Sequence, residues 1–296
     1  MIKELYRKMI PIGIRYAVAQ KRDKKNNAKS LEKLEKIYAD SAYDKRYQNE
    51  IEWIVRNKRI EVFPYEWVKE YDDFGTEVFT DKELKMKYVL HNGKRLYFPK
   101  GYSAKFIQRY YRSLVVEQDK RSAHHYFSDD EQCIEGSVFV DVGAAEGIIS
   151  LNVVDKAEKI VMFECNDAWL EALNATFAPW KEKIQIIRKF AGNCDNENMI
   201  SLDKYFEDES HLQNIVLKLD VEGAEQAVLS GAKTLLEKNV IAAYICTYHN
   251  DNDYDLLVKL IEKFPFEIQE SVGYMYYGEQ AETGFRKGLI RVYRKK

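Results

Sequence analysis

From Ser137 onward, short apolar runs alternate with segments in which apolar residues recur at helical spacing. Such runs, bounded by turn signals, are typical of strands that are buried on both faces. The alternation predicts a doubly wound α/β fold, in which helices cover both faces of a mainly parallel sheet. The predicted strands are Val138–Val142, Lys159–Phe163, Ile184–Ile187, Ile215–Leu219, Val240–Cys246, Phe266–Glu270 and Leu289–Tyr293, with helices such as Ala168–Phe177 and Ala224–Glu237 between them.

The sequence before this domain predicts a mostly helical N-terminal extension. Apolar residues fall at helical spacing over Met1–Ile10, and Pro11 ends that pattern. A polar stretch follows at Asn26–Ser30, and then helical segments run from Leu31 to about Val68. We therefore expect a helical region over residues 1–86.

A β-hairpin and one helix are expected between the two regions. Tyr88–His91 and Arg95–Phe98 flank Asn92–Gly93, a dipeptide that accepts the positive φ angles of a tight turn. An amphipathic helix over Ser103–Asp119 follows, with Ser103 as its N-cap. We expect residues 87–136 to form a hairpin, helix and lid segment that leads into the α/β domain of residues 137–296.

The charge balance and the cysteines exclude several classes of protein. A net charge of −2 does not suit a protein that binds nucleic acid through its overall charge. The four cysteines are scattered and include no C-x-x-C pair, so they indicate neither a disulfide framework nor a zinc site. No apolar run is long enough to span a membrane, and no signal peptide is visible. We expect a cytoplasmic protein.

The first thirty residues are strongly basic, and two interpretations of them stay open. An amphipathic basic helix can lie at a membrane interface, which would place the protein at the inner face of the membrane. Alternatively, the helix docks on the rest of the chain or on a second subunit of a homo-oligomer. The basic residues are Lys3, Arg7, Lys8, Arg15, Lys21, Arg22, Lys24, Lys25 and Lys29.

A glycine-rich turn follows the first predicted strand of the α/β domain, at Asp141–Gly147. Its spacing, G-x-x-x-G, differs from the G-x-G-x-x-G turn that binds a pyrophosphate. Glu164 ends the second strand, where a carboxylate can accept hydrogen bonds from both hydroxyls of a ribose. Together these features predict a site for an adenosyl nucleoside without a pyrophosphate, although such a turn can also be only a tight connection.

Five sequence segments, in this order, resemble the FkbM-type methyltransferase family: Asp141–Gly147, Glu164, Ser201–Asp203, Lys218–Glu225 and Val228–Ala232. The similarity covers about residues 122–233. It implies a seven-stranded methyltransferase (Rossmann-like) sheet with an antiparallel last strand, and S-adenosylmethionine as the cofactor. The sequence departs from the family pattern at Ala145, where Asn is usual, and at Cys165, where Pro is usual.

The resemblance also implies which residues bind the cofactor. Glu164 would hold the ribose, and the adenine would lie near Phe190–Ala191, with Ala191 as the contact. Glu146 could contact the cofactor or the acceptor, or be a solvated loop carboxylate. The methionine part would be lined by the turn residues Asp141, Gly143, Ala144 and Gly147.

Candidate residues for the chemistry follow the fourth and fifth strands. Lys218 and Asp220 alternate in a strand and share one face, either as catalytic groups or as an internal ion pair. His249 suits a general base because the pKa of histidine lies near neutrality. Asp220 and His249 could orient each other, or could together hold a divalent metal that lowers the pKa of a hydroxyl. The first arrangement is favoured.

Ser122–Tyr126 resembles a further family element that would cover the mouth of the site. His124 and Tyr126 would then bind substrate, as would Glu222, although a packed segment is an equal alternative for the first two. Methyl transfer is an in-line displacement that requires an aligned acceptor.

The resemblance implies O-methylation of a sugar hydroxyl in a surface polysaccharide or related glycan. Methylation of a small secondary metabolite and a non-catalytic scaffold role are the alternatives. Methylation of nucleic acid is disfavoured, because no N-P-P-Y loop follows the fourth strand.

Overall fold

A computed structural model describes residues 12–40, 44–127, 132–209, 213–278 and 284–295, with the backbone alone over 12–25 and at 209. The helix predicted over Met1–Ile10 lies outside these residues. The chain divides into two compact units. The smaller unit comprises the described residues up to Val68 and within Tyr274–Arg286. The larger unit comprises the described residues within Lys69–Gly273 and from Lys287 onward. The three-part division at residues 86 and 136 stays a prediction.

The described residues form α-helices, short 3-10 helices and β-strands. The helices are α1 (Ile12–Asp40), α2 (Gln48–Asn57), α3 (Ala104–Glu117), α4 (Ile148–Val153), α5 (Asp167–Phe177), α6 (Leu202–Tyr205), α7 (Glu225–Ser230), α8 (Lys233–Lys238) and α9 (Asp253–Ile261). The 3-10 helices are Lys45–Tyr47, Glu66–Tyr71, Gln132–Ile134, Ala178–Lys183 and Glu207–Glu209. The strands are β1 (Phe79–Asp81), β2 (Met86–His91), β3 (Lys94–Phe98), β4 (Val138–Val142), β5 (Lys159–Phe163), β6 (Ile184–Ile187), β7 (Phe190–Ala191), β8 (Met199–Ile200), β9 (Ile215–Leu219), β10 (Val240–Cys246), β11 (Phe266–Glu270), β12 (Met275–Tyr276), β13 (Phe285–Arg286) and β14 (Leu289–Arg294).

The larger unit is built on a seven-stranded sheet in the order β11-β14-β10-β9-β4-β5-β6. Strand β14 runs antiparallel to both neighbours, and the β10, β9, β4, β5 and β6 pairs are parallel. Alternate residues enter two separate cores, so that Phe139 packs on one face and Val140 on the other. The doubly wound α/β fold and its seven strands are confirmed, with only the end of the last strand shifted by one residue.

Two local expectations in this unit need revision. Strand β1 joins the predicted hairpin as a third strand. The single helix expected over Ala224–Glu237 is two helices, α7 and α8. They separate at Gly231, where a Cβ atom would lie 1.9 Å from the backbone oxygen of Gly192. A neighbouring backbone therefore occupies the space that a side chain would need.

The smaller unit packs α1 and α2 around an apolar cluster that includes Leu34, Ile51 and Ile54. Strands β12 and β13 pair as a short hairpin and add Tyr276 and Phe285 to the same cluster. Helix α1 runs through the polar stretch at Asn26–Ser30, so this helical segment begins before the predicted Leu31. The separate helical segments predicted from Leu31 to about Val68 are found, and the α-helical part ends at Asn57, where Lys58 has a φ of 52°.

Across the ranges given above, no helix combines the length and the apolar character that a membrane crossing requires.

Candidate active site

A cavity of about 300 Å³ lies at the carboxyl ends of β4, β5 and β9. This is the edge of the sheet at which doubly wound folds bind their ligands. The lining residues are Val142, Gly143, Ala145, Phe163, Glu164, Cys165, Asn166, Trp169, Lys189, Phe190, Ala191, Asp220, Val221, Glu222 and Ala224.

The two glycines of the turn after β4 have different functions. Gly143 has a φ of 81°, and a Cβ atom there would lie 1.9 Å from the backbone oxygen of Asp220. Only glycine lets the turn lie this close to the end of β9. Gly147 also has a positive φ, but a Cβ atom there would meet Leu173 and Phe177 of α5. The structure therefore places Gly143 in the cavity wall and Gly147 in the packing against α5.

Glu164 is fixed at the cavity wall by two backbone donors. The N–H of Ala145 donates to Oε2 over 2.9 Å, and the N–H of Asn166 donates to Oε1 over 2.6 Å. A carboxylate has about four lone-pair sites, so two remain for a ligand. Glu164 is thus a preorganised acceptor at the position where the sequence predicts the ribose contact.

An apolar surface lies beyond Glu164, at Phe190 and Ala191. Phe190 is 56% exposed although it lines the cavity. An exposed aromatic ring on a cavity wall can stack against a flat ligand ring. Both residues lie where the adenine contact is predicted.

Asp141 and Lys218 form a buried ion pair and do not line the cavity. Lys218 Nζ lies 2.9 Å from Asp141 Oδ1 and donates to the backbone oxygen of Gly143 over 2.7 Å. Ser150 donates to the other oxygen of Asp141. Although burial opposes it, Asp141 and Asp220 raise the pKa of Lys218 above its usual range. Of the two predicted roles of Lys218, the structure shows the internal ion pair, although the partner is Asp141 and not Asp220. Asp141 does not line the cavity as expected, and both side chains hold the glycine turn against β9.

Asp220 and His249 meet as predicted, and Glu225 joins them from α7. His249 Nε2 lies 3.3 Å from Asp220 Oδ1, and His249 Nδ1 lies 2.9 Å from Glu225 Oε1. Although burial opposes it, the hydrogen bonds to Asp220 and Glu225 raise the pKa of His249 to about 10. The near-neutral pKa expected for His249 is therefore wrong, and the imidazole is protonated at pH 7.

Tyr126 and Tyr248 hold Asp220 from two sides. Tyr126 Oη donates to Oδ2 over 2.9 Å, and Tyr248 Oη donates to Oδ1 over 3.0 Å. His124 Nε2 lies 3.8 Å from Oδ2, and burial lowers the pKa of His124 to about 4. His124 and Tyr126 are buried, so the segment before β4 packs behind Asp220 and does not form the predicted cover over the mouth.

Residues 144–276 match the family described as the methyltransferase FkbM domain. The chain contains an FkbM methyltransferase domain. The family expected from the sequence is therefore confirmed. The comparison with curated proteins finds no match.

Several solved structures resemble the chain at low identity. The methyltransferase FkbM of Methylobacillus flagellatus is 18% identical over 53% of this chain and 43% of its own, with a TM-score of 0.40. This chain thus spans less than half of that protein. An rRNA methylase of Streptococcus thermophilus is 14% identical, over 56% and 91%, with a TM-score of 0.38. A candidate methyltransferase of Streptococcus mutans in complex with SAH is 13% identical, over 54% and 90%, with a TM-score of 0.37.

Two further carboxyl groups have raised pKa values, one in the FkbM domain and one in the helix that precedes it. Glu146, in the glycine turn, is buried and accepts a hydrogen bond of 2.8 Å from Tyr110 Oη. Burial raises the pKa of Glu146 to about 7. Burial also raises the pKa of Glu117, in the last turn of α3, to about 8, and the charges of Glu146 and Asp220 add to the effect. The solvated-loop interpretation of Glu146 is therefore wrong, and Glu117 was not predicted from the sequence.

Among the described residues, two groups of side chains around Asp220 have donor atoms close enough to share a metal ion. One is Asp220 with Glu225 and His249, and the other is Asp220 with His124 and Cys246. In each group the donor atoms lie within 4.8 Å of one another. The protonated His249 competes with any cation in the first group, since a metal requires the neutral imidazole.

The remaining predicted site residues lie at different depths. Glu222 lines the cavity, and its side chain is 95% exposed. Ala144 is buried and absent from the cavity lining. The structure thus brings Gly143, Glu164, Ala191, Asp220 and Glu222 together in one cavity wall.

Proposed function

We propose that the protein is an S-adenosylmethionine-dependent O-methyltransferase that acts on a sugar hydroxyl of a surface polysaccharide or related glycan. The observation that carries the proposal is one cavity wall that contains both Glu164, fixed by two backbone donors, and Asp220. One end of the cavity suits a nucleoside, and the other is charged and suits a polar acceptor.

The residues present fit the cofactor. Glu164 would accept the ribose hydroxyls, Phe190 and Ala191 would contact the adenine, and Gly143 would allow close approach of the methionine part. When bound, S-adenosylmethionine supplies a methyl group on a positively charged sulfur. The carboxylates of Asp220 and Glu146 lie at the same edge, where negative charge attracts a sulfonium.

Asp220 is best placed to orient the acceptor. Although burial opposes it, His249 and Lys218 hold the pKa of Asp220 well below its usual range. Asp220 therefore remains a carboxylate that can accept a hydrogen bond from a hydroxyl but retains a proton poorly. His249 is already protonated, so it fixes Asp220 and does not remove the proton of the acceptor.

A wall of aromatic rings beside these carboxylates favours a sugar. Tyr110 stacks on Trp169 with ring centres 5.9 Å apart, and Phe106 stacks on Tyr110 at 6.0 Å. Trp169 also lines the cavity. Sugars present both hydroxyls and apolar ring faces, and carboxylates beside aromatic rings complement both.

Two measurements test the proposal. Isothermal titration should show that the protein binds S-adenosylmethionine and S-adenosylhomocysteine. Mass spectrometry of surface glycans should show a methyl group that disappears when the gene is deleted and returns with the wild-type gene. Cofactor binding with unchanged glycans would redirect the search to a small metabolite, and the absence of cofactor binding would indicate a scaffold.

A further inference from the structure

Glu225 is a buried carboxylate that joins two of the segments around the cavity. Its side chain is 1% exposed. Oε1 accepts a hydrogen bond of 2.9 Å from the backbone N–H of Val221, a residue of the cavity lining, and the same atom lies 2.9 Å from His249 Nδ1. One oxygen of Glu225 thus connects the loop after β9 with the loop after β10.

The other oxygen of Glu225 has no hydrogen-bond partner. Among the residues that the structure describes, no donor reaches Oε2, although this atom is buried. A buried carboxylate oxygen without a partner opposes folding, because its hydration is lost and not replaced. Stability alone therefore does not explain a carboxyl group at this position, and its contact with His249 requires a functional reason.

Glu225 orients the imidazole of His249 towards the cavity wall. Because Nδ1 lies beside Glu225, Nε2 faces the opposite way, 3.3 Å from Asp220 Oδ1 and 3.9 Å from Glu222 Oε2. Asp220 and Glu222 both line the cavity. His249 therefore lies between Glu225 and two carboxylates of the cavity wall.

The chain next to His249 is held by contacts that do not involve Glu225. The backbone N–H of Asn250 donates to Asp253 Oδ2 over 2.8 Å, and Asp253 is buried. Tyr248 lies against the imidazole, with ring centres 4.1 Å apart. A substitution of Glu225 should therefore change the direction and the charge of the imidazole but not the course of the chain around it.

The loop after β9 has a conformation that requires support. Glu222 has a φ of 55°, and Gly223 has a φ of 95°. A positive φ is uncommon for a residue with a side chain and persists only where the surroundings fix it. The hydrogen bond from Val221 to Glu225 closes this loop, because it joins the residue before the two positive φ angles to a residue after them. Glu225 thus also fixes the place of Glu222 in the cavity wall.

We propose that Glu225 is a positioning residue for the methyl transfer, an inference that rests on the proposed function. Glu225 does not line the cavity itself. It acts through His249, which holds the carboxylate that orients the acceptor hydroxyl, and through the loop that carries Glu222. Both carboxylates of the wall then keep one arrangement while the acceptor binds.

The charge of Glu225 gives this role a pH signature. The hydrogen bonds and charges of Asp220 and Glu225 raise the pKa of His249 to about 10, although burial opposes them. Without the charge of Glu225 this pKa should be lower, so the imidazolium should be lost at lower pH. The groups that face the imidazole are Asp220, Glu222, Glu225, Tyr248 and His124, of which His124 is neutral at pH 7 because burial lowers its pKa to about 4.

The activity test compares wild type with Glu225→Gln from about pH 6 to about pH 9, on unmethylated glycan from the deletion strain with methyl-labelled S-adenosylmethionine. Glutamine can keep both contacts of Oε1 but carries no charge. Turnover of this variant should approach that of wild type at the acid end and then fall, by up to about tenfold per pH unit, while wild type stays level. Affinity for S-adenosylmethionine should not change.

Two further variants complete this comparison. Glu225→Ala loses both contacts and should lower turnover roughly 10²-fold at every pH. Glu237→Gln changes an exposed carboxylate of α8 and should behave as wild type. A Glu225→Gln enzyme with the rate and pH profile of wild type would overturn the proposal. An equal loss at every pH in the Gln and Ala variants would also overturn it, since Glu225 would then only support the fold.

A second test needs neither cofactor nor acceptor. NMR of protein with labelled histidine follows the imidazoles as pH changes, and the signal of His249 is the one that His249→Gln lacks. This signal should titrate at about pH 10 in wild type and at lower pH in Glu225→Gln. The same titration in both proteins would overturn the proposal. If wild type transfers no methyl group, the proposed function fails, and the titration still decides whether Glu225 controls His249.

Discussion

The two sides of the cavity are built on different principles. On the cofactor side, the backbone N–H groups of Ala145 and Asn166 hold Glu164. The half-exposed ring of Phe190 completes this surface. On the acceptor side, Asp220, His249 and Glu225 are held by one another and by tyrosine hydroxyls. The first side depends on backbone geometry, and the second depends on the balance of charges.

This difference determines how each side responds to change. A backbone donor has no titratable proton, so pH should affect the geometry of the cofactor side little. The charges on the acceptor side set each other's pKa values, so one substitution there changes the protonation of its neighbours. Mutations should therefore act locally on the first side and collectively on the second.

The strongest test of this contrast is a substitution in the buried ion pair of Lys218 and Asp141, which supports both sides. Lys218→Met removes the cation that pairs with Asp141 and holds Gly143. An unpaired buried carboxylate should then destabilise the protein by about 3–5 kcal/mol. Chemical denaturation measures this loss. Asp141→Asn in the same background should restore part of the stability, and Lys181→Met, at an exposed site, is the control. A loss below about 1 kcal/mol would contradict a structural role for the pair.

Substitution of His249 should show the collective response of the acceptor side. His249→Ala should lower turnover roughly 10²-fold, because Asp220 loses the imidazolium that fixes it, and should leave affinity for S-adenosylmethionine nearly intact. His249→Gln keeps the size of the side chain without its charge. The raised pKa of His249 stabilises the native state below about 6.5, and this stabilisation is lost as pH rises through about 10. The melting-temperature advantage of wild type over His249→Gln should shrink across that range, and a constant advantage would show that the imidazole is neutral.

A local response is expected at Glu164. Glu164→Ala should weaken binding of S-adenosylmethionine by about 1–3 kcal/mol, because charge-assisted hydrogen bonds to the ribose are lost. Isothermal titration at two pH values should give the same loss at each. Glu171→Ala changes an exposed carboxylate of α5 and should have no effect. An unchanged affinity in folded Glu164→Ala would place the cofactor elsewhere.

The smallest effect is expected from metal removal. His249, protonated between Asp220 and Glu225, already places a positive charge where a cation would bind. Treatment with a chelator should therefore leave methyl transfer unchanged. If activity is lost and magnesium or manganese restores it, Asp220, Glu225 and His249 hold an ion, and the charge balance described above must include it.

The sequence predicts the sheet well because its strands are buried on both faces and appear as uninterrupted apolar runs. It misses β1, which is only three residues long, and the break at Gly231, which depends on the backbone of Gly192. Glu164 could be found because a strand end and a glycine turn identify it locally. The raised pKa of Glu117 could not be predicted, because nothing within α3 indicates that the charges of Glu146 and Asp220 act on it. Likewise, the pKa of His249 depends on Glu225, which is distant in the chain.

The position of β12–β14 in the chain has a consequence for biosynthesis. Tyr276 and Phe285 complete the apolar cluster around Leu34, and β14 then inserts between β10 and β11. Neither unit can close its core until the ribosome has produced the stretch from Tyr274 to Arg294. Apolar surfaces on α1, α2 and β10 should therefore remain exposed through most of translation. The nascent chain is then a natural client for chaperones that shield such surfaces.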